Sequence, residues 1–124
     1  MGYRSEVILA VAPEVMPQFM VTMAKSIEAR AMCFGDADVI KDYDGAKGAM
    51  LFRWDCIKWY DTYEGVNAIQ DFMQWCKDEV IKDEEGNEQP GDDYYRFVRI
   101  GEEIDDSEVD GWAFDIHIER SVAY

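Results

Sequence analysis

Apolar residues recur along this chain with two different periods. Glu6 to Ala12 (EVILAVA) is an almost unbroken apolar run closed by Pro13, the pattern of a strand buried on both faces and hence central in a sheet. Met16, Phe19, Met20, Met23, Ala24 and Ile27 then follow at helical spacing, with Lys25, Glu28 and Arg30 on the other side, which predicts an amphipathic helix. Pro13 and Pro17 stand at its entrance, where a missing N–H costs little. Asp38 to Asp44 predicts a short strand and turn. The strongest strand pattern is Ala49 to Tyr60: Met50, Phe52, Trp54 and Cys56 share one face, and then Ile57 and Trp59 take over the apolar phase. That switch predicts a bulge or strand end near Cys56.

Asp61-Thr62-Tyr63-Glu64 has capping-box spacing, and Val66, Ile69, Phe72, Met73, Cys76 and Val80 continue at three- and four-residue steps; a second helix ending near Lys82 is predicted. Asp83 to Asp93 contains no apolar residue and three chain breakers, so it reads as a solvated loop. Tyr94 to Ile100 reads as a strand, and Trp112, Phe114, Ile116 and Ile118 alternate with polar neighbours as another, with Gly101 to Gly111 an acidic connector. The expected fold is a single α+β domain over 1–124. It is a two-layer sandwich with two helices on one face of a mostly antiparallel, four- to five-stranded sheet, ferredoxin-like with an added strand. A parallel sheet is disfavoured because the connector between the last two strands is too short for a helical crossover. Trp112, Phe114, Ile116 and Ile118 are expected to point inward with Val7, Leu9, Phe52 and Trp54, against Met20, Met23, Phe72 and Met73.

Composition supports one core: 48% of the 124 residues are apolar and 14% aromatic, well outside the signature of disorder. Charge restricts the partners. Against 12 basic residues stand 27 acidic ones, a formal net charge of -15, which opposes direct binding to nucleic acid or to an anionic membrane surface. Cys33, Cys56 and Cys76 lack paired-cysteine spacing and read as buried free thiols. No stretch approaches the length of a membrane span and the start lacks an apolar leader core, so a cytoplasmic location is expected.

The charge is concentrated. Asp83 to Asp110 holds 12 acidic residues with only Arg96 and Arg99 to balance them. The ordinary role of such a run is a solvated face; the functional one is a negative surface that imitates phosphate spacing and steers a basic protein to itself. The candidate partner-binding residues are Glu102, Glu103, Asp105, Asp106, Glu108 and Asp110. Asp106 to Gly111 partly matches the start of a calcium loop, but His117 stands where a bidentate Glu is needed. His117, the sole histidine, has no nucleophile motif near it and reads as an exposed strand residue. No phosphate-binding loop, nucleophile elbow or metal-ligand spacing occurs, so no cofactor, metal or catalytic residue is assigned. Arg53, Arg96, Arg99 and Arg120 lie in predicted strands, where cross-strand ion pairs are their ordinary role. The alternative is a small-ligand pocket on the uncovered sheet face, with Trp54 or Trp59 as the stacking surface. A homodimer through that bare face or a free edge is compatible with the layout.

Met1-Gly2-Tyr3-Arg4-Ser5-Glu6-Val7, Trp54-Asp55-Cys56-Ile57-Lys58-Trp59-Tyr60, Phe97-Val98-Arg99-Ile100-Gly101-Glu102 and the ending Glu119-Arg120-Ser121 together resemble a group of uncharacterised small proteins from bacteriophages and their bacterial hosts. The resemblance implies a phage or prophage origin and a cytoplasmic protein, and carries over no site residues. Small acidic phage proteins often act by occupying a host or defence protein. The expected function is therefore a non-enzymatic interaction protein that binds a basic host or defence protein through its acidic surface.

Overall fold

The computed structural model describes residues 2–103, 105–118 and 122–123. Its centre is β1 (Ser5–Val11), which pairs antiparallel with β3 (Met50–Ile57) on one side and with β6 (Tyr95–Gly101) on the other. β2 (Asp38–Lys41) and β7 (Ser107–Gly111) close the two edges, so the sheet runs β2-β3-β1-β6-β7 and every neighbouring pair is antiparallel. The chain is α+β, as its two periods require. Between β3 and β1 the register slips by one residue between Ser5 and Val7. This bulge falls at the Asp55-Cys56 step where the apolar phase of the strand changes, and it turns Cys56 out to solvent, correcting the expectation that all three cysteines are buried.

The helices pack on one face. α1 (Met16–Lys25) and α3 (Glu64–Asp78) bury Phe19, Met23, Val66, Ile69, Phe72, Met73 and Cys76 against Val7, Leu9, Val11, Phe52, Trp54, Tyr95 and Phe97. Phe19, Phe52 and Phe72 meet ring to ring at centroid distances of 5.3 and 5.2 Å. Met20, expected in this core, instead lies on the outer side of α1 and is 45% exposed.

The first helix is interrupted. Ser26 adopts an extended backbone (φ -120°, ψ 107°), ends α1 and caps α2 (Ile27–Ala31), its hydroxyl accepting from the Ala29 N–H at 3.1 Å. A wider π-type turn, Met32–Asp36, follows. The same hydroxyl donates to Glu64 at 2.8 Å, while the Glu28 carboxylate accepts from the Gly65 N–H at the start of α3. The start of α2 thus caps its own Ala29 N–H through Ser26 and the Gly65 N–H of α3 through Glu28, and the local capping box read at Asp61 is not what closes α3: its cap position, Tyr63, makes no side-chain capping bond. Gly65 permits this approach, since a Cβ there would sit 2.6 Å from Met32 Sδ and 3.0 Å from the Ala29 nitrogen.

Three expectations are corrected. α3 ends at Asp78, and the expected loop contains a small hairpin, β4 (Val80–Lys82) with β5 (Glu88–Pro90), turned at Asp83, whose carboxylate accepts the N–H groups of Glu85 and Asn87. The fifth strand is β7, inside the presumed acidic connector; residues 112–118 are not a sheet strand apart from β8 (His117–Ile118), which pairs with β9 (Val122–Ala123). Gly111 (φ 79°) and Phe114 (φ 61°) turn the chain off the edge, and Trp112, expected inside, is 73% exposed. The second sheet face is not bare. Ile8, Ala10, Leu51 and Val98 are covered by Ile116, with Phe114, Ile118 and Tyr43 packed alongside. Arg96 fastens this crossing segment: Nη1 donates to the Gly111 carbonyl at 2.6 Å and Nη2 to the Ile116 carbonyl at 2.9 Å.

Two substitutions test this packing. Phe52→Ala is expected to cost about 3–5 kcal/mol, and Gly65→Ala about 1–3 kcal/mol through overpacking, both read as midpoint shifts in urea unfolding. Thiol labelling gives an independent check: Cys33 and Cys76 are buried, and burial pushes both thiols up to about 12. A native sample should therefore react rapidly at Cys56 alone, and at all three cysteines in denaturant.

Candidate functional site

The continuous acidic block of the sequence is divided by the fold. β1 and β6 run antiparallel with Val11 opposite Tyr95 and Ser5 opposite Gly101. The Asp83–Asp93 carboxylates lie beyond the first end, where Ala12 donates to the Tyr94 carbonyl. Glu102 to Asp106 lie at the other, about 20 Å away along the strand. Asp83 to Asp110 is thus two acidic ends joined by the inner strand β6, with Glu108 and Asp110 on the edge strand β7.

At the second end the chain turns from β6 into β7, closed by the Gly101 N–H on the Asp106 carbonyl at 2.7 Å and the Asp106 N–H on the Glu103 carbonyl at 3.0 Å. Its anchor is Arg99, 9% exposed and opposite Glu108 in the ladder. Nη2 donates to Asp106 at 2.6 Å and to Glu108 at 2.8 Å, and Nη1 donates to Asp106 at 3.2 Å and to the Ser5 hydroxyl at 3.1 Å. A nearly buried guanidinium requires such pairing, because an unmatched charge is costly out of water. Tyr3 completes the clamp: its hydroxyl donates to Asp106 at 2.6 Å and accepts from the Glu103 N–H at 3.0 Å. The Arg99 and Tyr3 hydrogen bonds hold the Asp106 carboxyl down at about 2, against an ordinary 3.8. The bond to Asp106 also raises the Tyr3 phenol. Gly101 has no side chain to obstruct this junction; a Cβ there would collide with Asp106 and the Tyr3 hydroxyl.

The six acidic candidates therefore separate into two sets. Asp106 and Glu108 are paired with Arg99, and Asp110 with Lys77 of α3 at 2.7 Å. Glu102, Glu103 and Asp105 are exposed on the tip of the turn and have no ion pair among the described residues. Tyr3, Ser5 and Lys77 were not legible as members of this site, because each reaches it from a distant element.

The arginine and tryptophan candidates are dispersed over both sheet faces. Trp54 and Trp59 are buried on the helix side, Trp54 donating its indole N–H to the Met32 carbonyl at 2.9 Å and Trp59 lying tilted against Phe97 at a centroid distance of 5.5 Å. Arg53, beside Asp55 at 2.6 Å, and Arg96 lie on the opposite face, and Arg99 is in the clamp. Arg120 lies outside the described residues. No helix among the described residues is long and apolar enough to cross a membrane. No protein-family model, curated protein or solved structure matches the chain.

Asp106→Asn tests the clamp. A carboxyl depressed from 3.8 to about 2 stabilises the fold fully above its unfolded value and loses that contribution as pH falls toward 2. Asp106→Asn should be less stable than the native protein at pH 6, and the gap should close between about pH 4 and pH 2 in paired urea titrations. A gap that persists unchanged to pH 2 contradicts the assignment.

Proposed function

We propose that this chain is a non-enzymatic interaction protein that engages a basic protein surface, with the tip of the β6–β7 hairpin as its contact. The supporting observation is the division of the carboxylates: Arg99 and Lys77 neutralise those that build the hairpin, while Glu102, Glu103 and Asp105 project from a turn tied to the sheet at both ends. Charges carried on a fixed backbone raise association rates with an oppositely charged surface and lose little backbone freedom on contact. The molecule's net charge of -15 reinforces that steering and repels nucleic acid. We read the partner as a host or defence protein of a bacterial cytoplasm, in keeping with the resemblance to phage proteins. We read the sheet and its helices as a ferredoxin-like two-layer sandwich with β7 added at the edge.

The test begins with proteins retained by the immobilised chain from bacterial lysate at low salt and released near 1 M, where the Debye length falls to about 3 Å. The retained protein then serves as ligand for association kinetics. Glu102→Gln/Glu103→Gln/Asp105→Asn should associate about tenfold more slowly at low salt and with a flatter salt dependence. Its urea midpoint should hold or rise slightly, because crowded like charges are removed. Equal rates and equal salt slopes for native and variant protein would reduce the tip to a solvated turn.

A further inference from the structure

The outer side of α1 and α2 departs from the character of the rest of the surface. Met20 is 45% exposed, Val21 41%, Ile27 74% and Phe34 42%. Because Ser26 breaks the helix, the α2 segment and its π-type turn lie beside α1, leaving an open groove of about 340 Å³ lined by Met20, Met23, Ala24, Arg30 and Phe34. Four of these five are apolar. Two are methionines, whose flexible thioethers fit anchors of varied shape.

The charge here is balanced where the molecule as a whole is acidic. Between Met16 and Asp36, the end of the turn, the chain carries Lys25 and Arg30 against Glu28 and Asp36. Glu28 is turned to the Gly65 N–H on α3, so among the described residues Arg30 is the one charged group lining the groove. In a chain with 27 acidic residues Arg30 nevertheless makes no ion pair among the described residues. An apolar trough with an unpaired guanidinium at its rim complements a segment that offers a bulky apolar side chain with a carboxylate one helical turn away.

We propose that this groove docks an acidic amphipathic segment of a partner protein, which seats an apolar anchor among Met20, Met23, Ala24 and Phe34 and pairs a carboxylate with Arg30. The molecule's overall negative field slows such a partner at long range, so affinity rests on the apolar anchor and the single short-range pair. This surface is separate from the β6–β7 tip and does not depend on it.

The probe is a dye-labelled synthetic peptide of about 16 residues, long enough to form a helix on contact, with Leu and Phe at helical spacing and Glu at the intervening positions. Binding is followed by fluorescence anisotropy. The native protein should bind it, and Met20→Ser and Arg30→Glu should each weaken binding about tenfold or more. Thermal unfolding should leave both variants folded, since both side chains are exposed. A peptide with Ser in place of Leu and Phe should not bind, while Glu102→Gln/Glu103→Gln/Asp105→Asn should bind the acidic peptide as the native protein does. Absence of binding to the native protein, or binding indifferent to both groove variants, overturns the proposal. So does light scattering that shows a native dimer dissociated by Met20→Ser, which would assign the groove to a second copy of the chain.

Discussion

Complete burial of β1 is the constraint from which the architecture follows. Val7, Ile8, Leu9, Ala10 and Val11 all have no exposed surface, so alternate residues of one strand need cover on opposite sides. α1 and α3 supply it for Val7, Leu9 and Val11; no third long helix remains for Ile8 and Ala10. The chain meets that need with an irregular segment, Ala113 to Ile118, held across the sheet by Arg96 through two backbone carbonyls. Burial of a central strand thus determines what becomes of the C-terminal third, which crosses the second sheet face over Ile8, Ala10, Leu51 and Val98.

Electrostatics then sets the form of the β6–β7 edge. A chain with more than twice as many acids as bases has few cations to distribute, and it places Arg99, the most buried among the described residues, between two carboxylates of the adjoining turn and strand. That pairing makes an otherwise weak strand, Ser-Glu-Val-Asp-Gly, hold to the sheet. A charged edge strand of this kind also resists pairing with other chains. The carboxylates left over are those at the tip, and their exposure follows from the use of the others in the fold.

A third consequence comes from the join between α2 and α3. Ser26, Glu28, Glu64 and Gly65 satisfy two helix starts at once, which brings α2 against α3 and leaves the outer side of α1 without a neighbour. The exposed methionine and phenylalanine surface is thus the other side of a well-satisfied polar junction.

Where periodicity and burial coincide within one element, the residues themselves were sufficient. The apolar run of β1, the face shared by Met50, Phe52 and Trp54, the bulge near Cys56 and the stripe of α3 are each local patterns tied to a repeat of two or 3.6 residues. The α+β class followed from them. The tertiary structure decided the rest, because the determining contacts join residues far apart in sequence. β7 has no strand periodicity of its own and is recruited by Arg99, whereas Trp112 to Ile118 alternates like a strand but finds β6 already paired, with Gly111 and Phe114 turning it across the sheet. Likewise the acidic run is uniform as a string, and which of its carboxylates are free depends on where Tyr3, Arg99 and Lys77 arrive in space. Charge carries no period that reveals its partner, and an edge strand takes its identity from its neighbour.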